Sequence, residues 1–257
     1  KIVQEDIVGP SLGQKSIEQG IISFIVAFIV LMIYMCVMYG FIPGMVANGA
    51  LILNFFFTLG ILASFQAALT MSGIAGMVLS LGMAVDANVL IYERIKEELK
   101  AGKNIKTALA DGYGNAFSAI FDSNLTSIIT GVILMYFGTG PIKGFATTLI
   151  IGLVCSFFTA VYLSRLIFIW GAKAKPFEKL TFTTGLSRNL LTNTKINFLA
   201  QRKYSFIAVA VVVAVVAGSF VMRGLNQGID FSGGRNYIVK LDKDVKPSEI
   251  EAKLVAK

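Results

Sequence analysis

The longest uncharged stretch of this chain limits its fold most strongly. Between Gln19 and Val85 there is no Asp, Glu, Lys or Arg. As one helix this stretch would be about 100 Å long, whereas the hydrocarbon core of a bilayer is about 30 Å thick. It must therefore fold back on itself, and breakers lie at 40–44 and 66–73. The composition agrees, because 15% of the residues are charged, against about 25% in ordinary soluble domains.

The sequence predicts an all-α polytopic membrane protein. A segment of residues 1–19 precedes a five-helix transmembrane domain, 20–175, and a basic connector, 176–203, leads to a sixth helix. Each uncharged run is long enough to cross a bilayer. The predicted helices span about 20–39, 47–66, 71–92, 119–138, 144–170 and 204–223.

The basic residues predict the orientation. The chain has 23 Lys and Arg against 15 Asp and Glu, a formal charge of +8. Cations are concentrated in the loop 93–118 and the connector, which the positive-inside rule assigns to the cytoplasm. Residues 1–19 and the chain after Arg223 then lie outside. In so apolar a chain the excess charge indicates contact with membrane lipids and not with nucleic acid.

The last segment, 224–257, has a different pattern. Residues 237–241 alternate in polarity as in a half-buried strand. Pro247 and Glu249 then stand where a helix begins. We expect the start of a small α+β periplasmic domain here.

Several kinds of chemistry are disfavoured. The chain has no histidine, the commonest general base and metal ligand. Its two cysteines, Cys36 and Cys155, lie inside apolar runs, so we predict no disulfide framework and no metal site. We expect no enzyme and no bound cofactor.

Asp86 is an acid inside the third predicted span. It precedes Glu93 by seven residues, about 10 Å along a helix. A charged carboxylate at this depth is unfavourable by about 3 kcal/mol, so an acid there indicates a function by default. An apolar medium favours the neutral carboxyl group, which predicts a proton carrier. The alternative is a structural Asp bonded to Asn88 or to a nearby hydroxyl.

The same predicted helix carries a stripe of small residues. Ser72, Gly76, Ser80 and Ala84 recur every four residues. Such a stripe lets another helix approach closely, and it predicts packing and not a ligand site.

A polar cluster opens the fourth predicted span. Ser118, Asp122 and Thr126 share one helix face, and Asn124 lies between them. At a depth similar to that of Asp86, they are candidates for a common polar pocket. The alternative for Asp122 is an acid that anchors the helix end.

Arg165 lies in the last turns of the fifth predicted span, five residues before Trp170. One interpretation is that its side chain reaches lipid phosphate at the interface. The other is that it pairs with Asp122 inside the membrane.

Several motifs resemble the SecD and SecF families of protein export. The segments 9–13, 82–98 and 110–126 resemble SecD, and the stretch 228–234 resembles the opening of the first periplasmic domain of SecF. Because the two signatures follow in order, the chain is identified as a member of the fused SecDF family. The resemblance implies a fragment that spans the C-terminal helices of SecD and the N-terminus of SecF. The SecF-like motif residues are Gly228, Asp230, Phe231, Gly233 and Gly234.

The resemblance also implies an architecture and a function. It implies the resistance-nodulation-division type of membrane half, in the bacterial inner membrane. It implies an auxiliary of the SecYEG translocon that uses the proton-motive force to promote late steps of preprotein export, with the insertase YidC and the unfolded preprotein as partners. Asp86 would be the proton-carrying acid, with Asn88 beside it, and protons would be the coupling ion. The alternatives are an exporter of small molecules or lipids on the same architecture, and a passive translocon scaffold.

Overall fold

The fold is helical throughout the part of the chain that the computed structural model describes, residues 10–67, 69–171, 180–188 and 202–225. Six helical stretches there are long and apolar enough to cross a membrane, which confirms the predicted all-α polytopic fold. The chain forms two units, Lys1–Asn193 and Thr194–Lys257. In the first unit the helices are α1 (Pro10–Tyr39), α2 (Phe41–Ser64), α3 (Met71–Lys100), α4 (Ile105–Phe137), α5 (Gly140–Phe157), α6 (Ser164–Gly171) and the short α7 (Gly185–Arg188). The second unit contains α8 (Arg202–Arg223).

The turns between these helices lie at residues suited to break them. Gly40, between α1 and α2, has a φ of +90°, which a glycine adopts without strain. Thr70 caps α3 by accepting a hydrogen bond from the backbone N–H of Gly73 at 3.0 Å. Asn104 caps α4 in the same way through the N–H of Thr107, at 2.9 Å. The end of the unit that holds the α3–α4 turn is called the inner end below, and the opposite end the outer end.

The helices around the charged loop continue beyond the predicted spans. The sequence predicts helices over 71–92 and 119–138, whereas α3 ends at Lys100 and α4 begins at Ile105. Ion pairs one turn apart stabilise the extension of α3: Arg94 with Glu97 at 2.7 Å, and Lys96 with Glu93 at 3.2 Å. The predicted loop 93–118 is therefore a pair of helix ends joined by a short turn.

The small-residue stripe of α3 packs against α5, as the sequence predicts. A Cβ atom on Gly76 would lie 2.5 Å from Oγ1 of Thr148 and 2.7 Å from the backbone oxygen of Phe145, so only glycine fits there. One turn further on, Ser80 faces Gly152. The hydroxyl of Thr148 donates to the backbone oxygen of Gly73 at 3.0 Å. The helices α3 and α5 thus pack through close contact of their backbones, and not through large side chains.

An aromatic cluster closes the inner end. Tyr92 is fully buried; its ring centroid lies 5.3 Å from that of Tyr39 and 5.2 Å from that of Phe182. Its hydroxyl donates to the backbone oxygen of Pro43 at 2.9 Å. Phe182 comes from the stretch 180–188, so this part of the predicted connector packs on the helices.

A π-helical segment, Phe158–Leu163, joins α5 to α6 within the fifth span. Such segments are rare and are often found at functional sites. The residue that follows it, Ser164, is buried, and its hydroxyl lies 2.6 Å from the hydroxyl of Tyr113 in α4.

The outer surfaces of the spans carry exposed apolar side chains, as a lipid-facing surface requires. Within the second unit, α8 has no buried residue, and its exposed side chains are mostly valine and other apolar types. The predicted α+β segment and the motif 228–234 lie outside the described residues.

Candidate functional site

Asp86 lies in the middle of α3, about 22 Å along the helix from Met71. This distance is shorter than the thickness of a bilayer's hydrocarbon core, about 30 Å, so a span that enters the core near Met71 holds Asp86 inside it. Its side chain is exposed on the surface of the first unit. Among the described residues, no cation lies within 4.0 Å of its carboxylate. The acid thus lacks a compensating charge where an ion is expensive to hold.

Two grooves meet at Asp86. The larger, between α1 and α3, has a volume of about 410 Å³ and is lined by Leu31, Tyr34, Gly82 and Val89 together with the acid. We call it the apolar groove, because all of its lining residues except Tyr34 and Asp86 are apolar.

The second groove lies between α3 and α4, and we call it the polar groove. Ser123, Asn124 and Ser127 of α4 line it opposite Asp86, and Leu153 of α5 lies on its wall. Its volume of about 40 Å³ is sufficient for at least one water molecule, which needs about 10–15 Å³. The carboxyl group therefore borders a space that has both the size and the polar partners to hold water.

The side chain of Asn124 is held in a fixed position at this groove. It is buried, and its amide nitrogen donates to the backbone oxygen of Ile120 at 2.8 Å. Ser127 donates to the backbone oxygen of Ser123 at 3.0 Å. Asn124 is among the pocket residues predicted from the sequence, whereas the two serines are not. Their spacing of i, i+4, which places them on the same face of α4, is the signal that could have identified them.

Asp122 and Thr126 lie on α4 but do not line either groove that contains Asp86. Both are exposed, and the hydroxyl of Thr126 donates to the backbone oxygen of Asp122 at 2.8 Å. Asp122 is about 22 Å along α4 from Phe137, so the two acids are equally deep. The structure thus brings Asn124, and not Asp122, to the site of Asp86.

Asn88 follows Asp86 by two residues and therefore points about 200° away around the helix. Asn88 is 2% exposed, and its amide nitrogen donates to the backbone oxygen of Ala84 at 3.3 Å. Its side-chain oxygen has no hydrogen-bond partner among the described residues. The two residues that the resemblance pairs are thus on different faces of α3, one exposed and one buried.

Arg165 lies in α6 and lines a third cavity, at the inner end, together with Lys106 and Tyr113. Asp122 does not line this cavity, and the ion pairs of the described residues do not join it to Arg165. The SecF-like motif residues Gly228, Asp230, Phe231, Gly233 and Gly234 lie outside the described residues, as stated above.

Comparison with known families decides the identity of the fold. The family described as "Protein export membrane protein SecD/SecF, C-terminal" matches residues 1–174, well over half of the chain. The chain belongs to this family. A second match, "SecD/SecF GG Motif", covers residues 218–245 and includes the stretch 228–234. The resemblance found in the sequence is thereby confirmed.

Named relatives and a solved structure agree with this membership. The chain is 52% identical over 167 residues to "Protein translocase subunit SecD" of Rhodothermus marinus, and 49% identical over 180 residues to the protein of the same name from Desulfurispirillum indicum. These alignments cover 65% and 70% of this chain but 27% and 35% of the relatives. The chain thus spans about a third of their length or less.

The fold is similar to the crystal structure of SecDF, described as a translocon-associated membrane protein, from Thermus thermophilus. The TM-score is 0.80 at 36% identity, over 88% of this chain and 30% of that one. Together with the six stretches of the described residues that are long and apolar enough to cross a membrane, this similarity confirms the prediction of a multi-pass protein of the bacterial inner membrane.

Proposed function

We propose that this chain forms part of a protein translocase subunit that couples the proton-motive force to late steps of preprotein export. Support for the translocase role comes from the SecD/SecF family and from relatives named translocase subunits. The proton-coupled step rests on one observation. Asp86, in the middle of α3, has no ion-pair partner among the described residues and borders a polar groove that is large enough for a water molecule.

In this proposal, Asp86 gains and loses a proton through water in the polar groove. The neutral form is compatible with apolar surroundings, whereas the ionised form requires water or a cation nearby. The two forms therefore stabilise different packings of the surface around α3. A change of protonation alters the difference in free energy between those packings, and the ratio of their populations changes exponentially with that alteration.

The proposal includes the partners implied by the resemblance: the SecYEG channel, the insertase YidC, the unfolded preprotein and the surrounding lipids. The translocation subunit is not itself an enzyme in this account, and protons are its coupling ion. Asn88 lies on the buried face of α3, so in the packing described here the proton exchanges on the face that Asn124 lines.

The test uses vesicles that carry the translocon and the full-length subunit, with a preprotein stalled after ATP is exhausted. An imposed proton gradient should complete export with the unchanged protein. The variant Asp86→Asn should lose this gradient-dependent step, because it cannot ionise. The matched control is Asp122→Asn, which changes an equally deep carboxylate that lies outside the two grooves.

Three results would contradict the proposal. If Asp86→Asn completes export as well as the unchanged protein, the acid is not the carrier. If the gradient has no effect on any of the proteins, the subunit is a passive scaffold. If vesicles with the subunit export dyes or lipids in a gradient-dependent way while the stalled preprotein does not move, the exporter alternative is correct.

A further inference from the structure

A cleft at the inner end of the first unit has no role in the proposed proton step. It lies between the first turns of α4 and the turns of α6, and its volume is about 290 Å³. Its floor is apolar and comes from Leu109, Tyr113, Phe168 and Ile169. Two cations, Lys106 and Arg165, line it as well. We call it the inner cleft.

The two cations differ from most of their neighbours. At the same end, Arg94, Lys96 and Lys103 each form an ion pair with a carboxylate. Neither Lys106 nor Arg165 has such a partner within 4.0 Å in the described ranges. The inner cleft thus combines two uncompensated positive charges with an apolar floor, and acids do not line it.

The depth of the inner cleft matches the level of lipid headgroups. Arg165 lies about 37 Å along the fifth span from Gly140, beyond a hydrocarbon core of about 30 Å but inside the 40–45 Å that includes the headgroups. Trp170, five residues later, is 72% exposed. Exposed tryptophan is typical of the membrane interface.

We propose that the inner cleft binds an anionic phospholipid. The phosphate lies between Lys106 and Arg165, and the upper part of an acyl chain follows Leu109 and Ile169 toward the bilayer. A soluble anion would use the two cations but leave the apolar floor exposed to water. A phospholipid covers both, and cationic clefts between helices at this level are a known mode of headgroup recognition.

The single tryptophan of the chain permits a direct test. Trp170 follows Ile169 of the cleft, so lipids brominated high on the acyl chain will quench its fluorescence when they occupy the cleft. The chain is reconstituted in mixed bilayers of phosphatidylglycerol and phosphatidylcholine, with either the anionic or the zwitterionic lipid brominated. The ratio of quenching gives the relative affinity for the anionic lipid.

We expect the unchanged chain to prefer the anionic lipid, with a contribution of about fivefold from each cation. The double variant Lys106→Gln, Arg165→Gln should reduce the preference toward one. The matched control is Lys143→Gln, which removes an exposed cation at the outer end. Helical circular dichroism and elution as a single species verify that each variant is folded.

Three outcomes would overturn the proposal. Equal quenching by both lipids in the unchanged chain means that no anionic lipid is selected. A preference that survives in the double variant means that general surface charge, and not the inner cleft, attracts the lipid. Loss of the preference on adding inorganic phosphate, with sodium chloride of equal ionic strength as the reference, means that the site binds a free anion.

Discussion

Asp86 and Asp122 lie at the same depth in neighbouring helices, yet only Asp86 borders the polar groove. Hydroxyl and amide groups of α4 line the polar groove together with Asp86. Asp122, by contrast, lies with Thr126 on an exposed face of α4. Depth in the membrane therefore does not by itself distinguish a carrier from a structural acid. The neighbouring polar groups decide whether water has a place beside the carboxyl group.

Asn124 is the residue whose loss should most affect water in the polar groove. The change Asn124→Ala removes a fixed polar side chain opposite Asp86, and one lost hydrogen bond of about 1 kcal/mol corresponds to about a fivefold change. We expect the initial rate of proton uptake by vesicles carrying the full-length protein to fall by about that factor.

The matched control is Thr126→Ala, on the exposed face of the same helix. It should leave the rate of proton uptake unchanged. Equal effects of the two substitutions would show that the polar groove has no special part in proton exchange.

At the scale of helices, α3 and α4 approach each other closely near the inner end. A Cβ atom on Gly112 would lie 3.0 Å from the backbone nitrogen and Cα of Ile95, and still closer to its side chain. Gly114, two residues further along α4, has nothing within 4 Å of the same position. The two glycines therefore have different structural roles although both lie in one short motif.

We expect Gly112→Ala to destabilise the protein by about 1–3 kcal/mol, because an added methyl group forces the helices apart. Gly114→Ala should be neutral or slightly stabilising, since alanine favours helix over glycine. The measurement is the melting temperature in detergent. A similar decrease for both variants would contradict the helix contact described here.

The turn between α3 and α4 is fixed by Lys103. Its ammonium group lies 2.7 Å from a carboxylate oxygen of Asp111 and 2.6 Å from one of Glu98. Hydrogen bonds to Asp111 and then to Glu98 raise the pKa of Lys103 above its ordinary value of 10.5. A raised pKa in the folded state stabilises the fold fully below the ordinary value, and this contribution is lost as pH rises through the higher one.

The variant Lys103→Gln should therefore lower the melting temperature at neutral pH by a small amount, and the difference from the unchanged protein should vanish at strongly alkaline pH. Lys100→Gln is the control, because Lys100 has no carboxylate within 4.0 Å among the described residues. A difference that persists at alkaline pH would show that packing, and not charge, is responsible.

The number of candidate membrane spans among the described residues follows from the sequence, because each uncharged run is long enough to cross a bilayer. The close packing of another helix against α3 follows as well, because a stripe of small residues permits it. The rotation of α4 does not follow from the sequence. Polar residues lie on several faces of that helix, so the pattern favours the Ser118–Asp122–Thr126 face as much as the Ser123–Ser127 face. Only the position of α3 beside it decides which face lines the polar groove.

The π-helical segment and the burial of Asn88 are also beyond the reach of the sequence. The π-helical segment ends directly before Ser164, whose hydroxyl lies 2.6 Å from that of Tyr113 in α4, and the residue pattern does not predict this contact between helices. Helix periodicity puts the side chains of Asn88 and Asp86 on nearly opposite faces, but only the packing of α3 decides that the face with Asn88 is the buried one.

At the scale of the whole molecule, α3 is the central element of the first unit. It packs against α1, α2, α4 and α5, and the surface that includes Asp86 remains exposed within that unit. The named relatives are about three to four times as long as the matched part of this chain. We expect the longer proteins to cover this surface, so that protonation of Asp86 acts on a contact between two parts of the molecule.

The function proposed above requires that Asp86 carries protons across the packed helices of the first unit. The most direct test is proton uptake into vesicles that contain the full-length protein, driven by an imposed gradient and followed with a pH-sensitive dye inside. We expect uptake above that of empty vesicles for the unchanged protein and for Asp122→Asn, and uptake at the level of empty vesicles for Asp86→Asn. Undiminished uptake with Asp86→Asn would contradict it.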